Sequence, residues 1–175
     1  LRNASPDAPY WRDVGTLDSY YRANIELLRD DQLLNLYDST WPIYTTLVQM
    51  PPTKFTDHGS GKGSQVRDSI VDSGSVVSNS EIVQSVVFHA CRIESQCRLD
   101  RSLVLPGCRI GRGCRLTRTV LDNGCELPAG TVIGENPAAD ASRYHITPDG
   151  VVVVNREMLG QPREYKPHGT PAARD

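Results

Sequence analysis

The side chains best able to do chemistry in this 175-residue chain are five cysteines, four histidines and one carboxylate in an unusual local setting. Cys91, Cys97, Cys108, Cys114 and Cys125 could ligate zinc or pair as disulfides, but no C-x-x-C pair occurs. A three-histidine zinc centre would have to gather His58, His89, His145 and His168, of which only His89 lies in the patterned middle of the chain. The stretch Gly59-Ser60-Gly61-Lys62-Gly63-Ser64 looks superficially like a phosphate loop. It lacks both the G-x-x-x-x-G-K-[ST] spacing and a preceding buried strand, so it reads as a flexible linker. Asp13 lies between the strand-like Trp11-Arg12 and a Val14-Gly15 turn, just ahead of a helical pattern. A carboxylate so placed could reach Mg²⁺ through a substrate phosphate, or simply close a turn.

The elements that position these residues come from a 17-residue period. Ile70, Val76, Ile82, Val87, Ile93, Leu99, Val104, Ile110, Leu116, Leu121, Leu127 and Ile133 follow one another in steps of 6, 6 and 5. Two residues before each stands a small residue, including all five cysteines; Asp68 is the exception. Residues two apart on a strand share a face, so each small residue and its aliphatic partner look inward. Three short strands then make one triangular coil of a hexapeptide-type parallel β-helix. Residues 17 apart stack about 4.8 Å from coil to coil. The expected columns are Ile70–Val87–Val104–Leu121, Val76–Ile93–Ile110–Leu127 and Ile82–Leu99–Leu116–Ile133. The cysteines become reduced packing residues, which suits a cytoplasmic protein.

Between the inward pairs lie outward residues, among them Arg92 below Arg109 and Arg98 below Arg115, with Glu126 extending the first column and Glu81 the second. Stacked like charges on one face are unfavourable unless paired. The plain reading is a solvated face with glutamate neighbours; the sharper one is a subunit contact or an anion site. An acyltransferase built on such a helix would use a histidine as general base, and His89 is the sole candidate within the repeats. A non-catalytic oligomerisation scaffold is a third possibility.

Four regions follow. Residues 1–63 hold a helix from Leu17 to about Arg29 with Thr16 as N-cap and a stripe of Leu17, Tyr21, Ile25 and Leu28, then an extended Trp41–Tyr44 and a stiff Pro51–Phe55 connector. This region is too poor in patterned apolar sequence for a core of its own and reads as a piece that packs on something larger. Residues 64–134 form the helix of coils. Residues 135–160 supply a cap: a short helix from Asn136-Pro137 to about Tyr144, a turn at Thr147–Gly150, a strand at Val151–Val154 and a helical turn at Arg156–Leu159. Residues 161–175 are Pro-rich and polar, and read as a disordered tail. With a formal charge of −2 and 38% hydrophobic residues, the chain has no basic excess for nucleic acid. It also shows no apolar run near the roughly 20 residues of a membrane span, and no signal peptide is visible in these residues. Its first residue, Leu1, suggests a processed, trimmed or incomplete chain.

Tyr10-Trp11-Arg12-Asp13-Val14-Gly15-Thr16, Trp41-Pro42-Ile43, Pro51-Pro52-x-Lys54-Phe55, the repeats and Val132-Ile133-Gly134-Glu135-Asn136 together resemble the bacterial ADP-glucose pyrophosphorylase (glucose-1-phosphate adenylyltransferase) family. The resemblance spans about residues 9–159. It implies a left-handed parallel β-helix, a homotetramer and the conversion of ATP and glucose 1-phosphate to ADP-glucose and pyrophosphate with Mg²⁺ in glycogen synthesis. It implies that Asp13 is a metal-binding aspartate, that Trp11 lines the glucose phosphate pocket and that Arg156 lies near a site for an anionic allosteric effector. Gly160 and Asn123 depart from enterobacterial members, which carry basic residues there. The family's glycine-rich nucleotide loop and catalytic lysine region do not occur in these 175 residues. The resemblance therefore implies the C-terminal portion of the enzyme, serving oligomerisation and regulation and inactive alone.

Overall fold

The computed structural model describes residues 10–29, 34–44, 49–57 and 63–165. His58, the Gly59–Lys62 part of the Gly/Ser loop, His168 and the tail from residue 166 onward lie outside them. The chain winds into triangular coils whose strands stack into three sheets. Among the described residues the first runs Lys54–Thr56, Val76–Ser78, Arg92–Ile93, Arg109–Ile110, Glu126–Leu127; the second Gln65–Arg67, Glu81–Val83, Arg98–Asp100, Arg115–Thr117, Val132–Ile133. The third runs Ile70–Val71, Val86–Val87, Leu103–Val104, Thr119–Leu121, Val152–Val154, and ends in an antiparallel His145–Ile146. No helix among the described residues is long and apolar enough to cross a membrane.

From Ile82 onward the expected columns form. Ile82, Leu99, Leu116 and Ile133 stack in register, as do Val87, Val104 and Leu121, and Ile93, Ile110 and Leu127. All but Leu127, at 4%, are 1% exposed or less, and each such burial is worth roughly 1.5–3 kcal/mol.

The first coil corrects the expectation. Val71, not Ile70, pairs with Val87, and Val77, not Val76, pairs with Ile93. Coil-to-coil spacing there is 16 residues, and Ser69 and Ser75, not Asp68 and Gly74, precede the inward aliphatics. Both alternatives are apolar, Ile-Val and Val-Val, so hydrophobicity could not choose between them. The corner backbone does choose. Three residues before every inward aliphatic from Val66 to Ile133 stands one residue with positive φ. Six are glycine; Asp68, Asn79, Gln84, Ala90, Gln96, Arg101 and Arg118 take φ of 36° to 64°. Gly74, at φ 71°, is thus a corner and not a core position.

The Pro51–Phe55 stretch, expected as a connector, supplies Lys54–Thr56 as the first strand of the first sheet. Past residue 134 the chain closes the end of the core. Helix α2 (Pro137–Ala141) starts on Asn136 as expected and stops short of Tyr144. Tyr144, Ile146 and Leu159 then pack on the end of the core. Helix α1 (Leu17–Glu26) starts on Thr16 and ends three residues earlier than expected. Tyr21, Ile25 and Leu28 pack against Val86, Leu103, Val120 and Val151; Leu17, expected in that stripe, is exposed. The N-terminal region does pack on something larger: the outer face of the third sheet.

A non-glycine residue held left-handed costs about 1–2 kcal/mol. Ala90→Gly, at an exposed corner of φ 59°, should raise unfolding stability by up to about 1 kcal/mol once the extra freedom of the unfolded glycine is subtracted. A Cβ on Gly134, φ 85°, would stand 1.8 Å from the Thr117 carbonyl oxygen. Gly134→Ala should cost about 2 kcal/mol or more, and urea denaturation of both variants measures the contrast.

Candidate functional site

The N-terminal segment is a short run clipped to its own helix. Gly15 N–H donates to Asp13 Oδ1 at 2.8 Å, an Asx turn that leaves the other carboxylate oxygen without a donor among the described residues. Ser19 N–H donates to Thr16 Oγ1 at 3.1 Å and Thr16 N–H to Ser19 Oγ at 3.0 Å, so the helix start is doubly capped. Arg12 reaches along α1 to Glu26 at 2.6 Å. Trp11 is 78% exposed. Trp11 and Asp13 therefore stand side by side in solvent, on a segment whose position is set by where α1 docks.

That docking has a polar side. Asp18, in the first turn of α1 and 9% exposed, accepts from Thr147 Oγ1 and, at 3.4 Å, from Asp149 N–H. Thr147 Oγ1 in turn accepts from Val151 N–H at 3.0 Å. Arg22 lies 3.7 Å from the Asp149 carboxylate. Arg118 donates to the Asp149 carbonyl at 2.8 Å and covers the Tyr21 ring. Tyr21 OH donates to the Arg101 carbonyl at 2.7 Å.

Arg156 lies two residues beyond the last strand of the third sheet and is engaged with backbone. Its guanidinium donates to the Gly124 carbonyl and, at 2.7 Å, to the Pro162 carbonyl, with Tyr165 6.0 Å away. The start of the tail, expected as disordered, is seated here. Gln161 donates to the Glu126 carbonyl at 2.5 Å and accepts from Glu126 N–H at 3.1 Å, while the Tyr165 ring occupies the space a side chain at Gly124 would need. Nothing in the composition of residues 161–165 announces this; the single cue is one glutamine with both a donor and an acceptor.

The arginine columns form as expected, Arg92 on Arg109 and Arg98 on Arg115. Arg92 pairs with Glu94 at 2.9 Å, Arg98 with Glu81, and Arg115 with Glu135 through two bonds of 2.7 and 2.9 Å. These partners favour the plain reading of that face. His89 sits at a half-exposed corner with Nδ1 3.9 Å from Asp72. Among the described residues no group of three or more His, Cys, Asp or Glu is arranged to hold a metal ion.

The GlmU-like, C-terminal hexapeptide family profile matches residues 51–154 of this solenoid. The chain belongs to that family. It is also 47% identical over 151 residues to the glucose-1-phosphate adenylyltransferase of Enterobacter sp. (strain 638). That similarity covers 86% of this chain and 35% of the relative, in the relative's C-terminal part. The chain thus spans about a third of the length of that relative. As a hexapeptide family member it owes its regularity to the inward small residues, cysteines included.

All five cysteines are free and buried, and they do more than fill space. Cys91, Cys97, Cys108 and Cys114 each donate to a carbonyl fourteen residues on, at 3.1 to 3.3 Å. Ser80 makes the same bond to the Glu94 carbonyl at 2.7 Å. Burial pushes the Cys91 and Cys125 thiols up to about 12 and raises Cys108. The contact with Cys114, then burial, raises Cys97. Cys91 and Cys125 bind protons more tightly folded than unfolded, so their contribution is complete below the ordinary thiol value of 9.0 and is lost as pH rises toward about 12. Stability should fall over that window. A Cys91→Ser, Cys125→Ser double variant should show a shallower fall, read from urea midpoints against pH.

Proposed function

We propose that this chain is the C-terminal, assembly and regulatory portion of a glucose-1-phosphate adenylyltransferase acting in cytoplasmic glycogen synthesis. The observation that carries the reading is the 47% identity across 86% of the chain, which runs beyond the repeats. A match confined to the repeats would suit any hexapeptide protein.

On this reading the enzyme joins ATP to glucose 1-phosphate, giving ADP-glucose and pyrophosphate, as a homotetramer answering to an anionic effector. Asp13 fits a Mg²⁺ ligand: one oxygen is held by Gly15 N–H and the other meets no donor among the described residues, and Mg²⁺ in such sites takes one or two carboxylates with substrate phosphates completing its shell. Mg²⁺ bound there would neutralise charge on the α-phosphate of the adenylyl group being transferred and on the departing pyrophosphate. This chain contributes the fixed carboxylate and the Trp11 indole beside it, which offers an apolar wall to the sugar. Arg156 is the effector-side residue; an anion there competes with the Gly124 and Pro162 carbonyls for its guanidinium.

The purified 175-residue chain should form no ADP-glucose from ATP, glucose 1-phosphate and Mg²⁺. An enzyme containing it behind a nucleotidyltransferase domain should turn over, and Asp13→Asn in that enzyme should lower kcat by more than about tenfold. Pyrophosphate release measures all three. Synthesis by the chain alone, or full activity in the Asp13→Asn enzyme, would overturn the assignment.

A further inference from the structure

We infer that Asp18 and Thr147 form the joint that positions the Trp11–Asp13 segment on the solenoid, which makes Asp18 a positioning residue for the reaction proposed above. The functional half of the inference rests on that proposed reading; the mechanical half does not.

Two kinds of contact hold α1. The apolar contact, Tyr21 against Val86, Leu103 and Val120, is non-directional and by itself leaves the helix free to slide along a flat sheet face. The polar contacts are directional. Tyr21 OH donates to the Arg101 carbonyl at 2.7 Å and pins the middle of α1, while at its first turn Asp18 takes one bond from the Thr147 hydroxyl and one from Asp149 N–H. The carboxylate is nearly sealed from solvent, as is Thr147 at 5% exposed, and a buried carboxylate is tolerated only where such donors meet it. Thr147 is fixed from behind by Val151 N–H, and Val152–Val154 is hydrogen-bonded into the third sheet against Thr119–Leu121. The joint thus ties the helix to the sheet framework and not to a loose loop.

From Asp18 to Asp13 there is little slack. The capping box closes Thr16 to Ser19, and the Asx turn closes Asp13 to Gly15. A shift of α1 by one residue's rise, about 1.5 Å, would carry Asp13 with it. A misplacement near 1 Å at a reacting centre can cost 10²-fold in rate. The same turn leads through one strand to Arg156, so the joint also lies between the two candidate ends of the proposed regulation.

Amide hydrogen exchange on the chain itself tests the joint. In Thr147→Val, exchange of the Val14–Tyr21 amides should quicken at least tenfold while the stacked amides of Val87, Val104 and Leu121 keep their protection. Thr147→Ser should behave as the wild type, and Asp18→Ala should loosen the Thr147–Val151 turn in return. Unchanged exchange at Val14–Tyr21 in Thr147→Val would overturn the joint. In the longer enzyme, Thr147→Val should raise KM for Mg²⁺ and glucose 1-phosphate or lower kcat severalfold, with recovery in Thr147→Ser. Wild-type kinetics there, alongside quickened exchange in the chain, would overturn the positioning role and keep the joint. A wild-type long enzyme without adenylyltransferase activity would overturn the proposed function, and the exchange result would still decide the joint.

Discussion

The coil-to-coil hydrogen-bond ladder inside the solenoid is the constraint on which the rest depends. Each inward small residue faces the same problem: its neighbours are aliphatic, yet corner carbonyls and amides point past it. A hydroxyl or thiol solves it. Ser85 Oγ accepts from Ser102 N–H at 2.9 Å, and Ser80 Oγ accepts from Cys97 N–H at 2.9 Å while donating to the Glu94 carbonyl. Alanine would fit the space and leave those groups unpaired, at about 1–3 kcal/mol each. The requirement is therefore for a small residue with a polar atom. Serine, threonine and cysteine satisfy it, which is why five cysteines can sit in a core without pairing.

The ladder keeps the inward positions in register through the 16-residue first coil and the 17-residue coils after it, and coils in register make flat faces. The three faces then differ only in what points outward. Two carry the paired arginines and glutamates. The third carries Val86, Leu103 and Val120, and that apolar strip is where α1 binds. The regular part of the molecule is thus the surface against which the irregular N-terminal segment is located. Trp11 and Asp13 need no core of their own.

Much of this was legible in the residues. The period, the inward cysteines, the arginine columns, the Thr16 and Asn136 caps and the dependence of residues 10–29 on a larger body all follow from spacing and residue type. The first coil misled because Ile70-Val71 and Val76-Val77 offer two apolar choices each, and a one-residue slip exchanges the faces of a strand. The corner residues resolve it: asparagine and glycine at positions 74, 79, 107, 113, 124 and 130 mark left-handed backbone, and counting from them, not from the aliphatics, places Val71 and Val77 inward. The α1 joint was illegible for another reason. Asp18 and Thr147 are 129 residues apart, and each alone reads as an ordinary helix-start acid and an ordinary turn residue. Long-range polar partners leave no periodic trace. Arg156 was singled out by resemblance alone and Asp13 by its local setting and by resemblance, and their local geometry, one held by carbonyls and the other by an Asx turn, came only with the fold.

A stack of identical coils is half of a fibre: every added coil re-creates the edge that would seed the next, and nothing in the repeat itself says stop. At the far edge of the first sheet the chain answers with one side chain. The carboxamide of Gln161 gives and takes the same pair of hydrogen bonds at Glu126 that a further strand would. It is a counterfeit peptide group with no strand behind it. That edge is thereby occupied at Glu126 by a side chain, beside the Tyr144, Ile146 and Leu159 cap that closes the core.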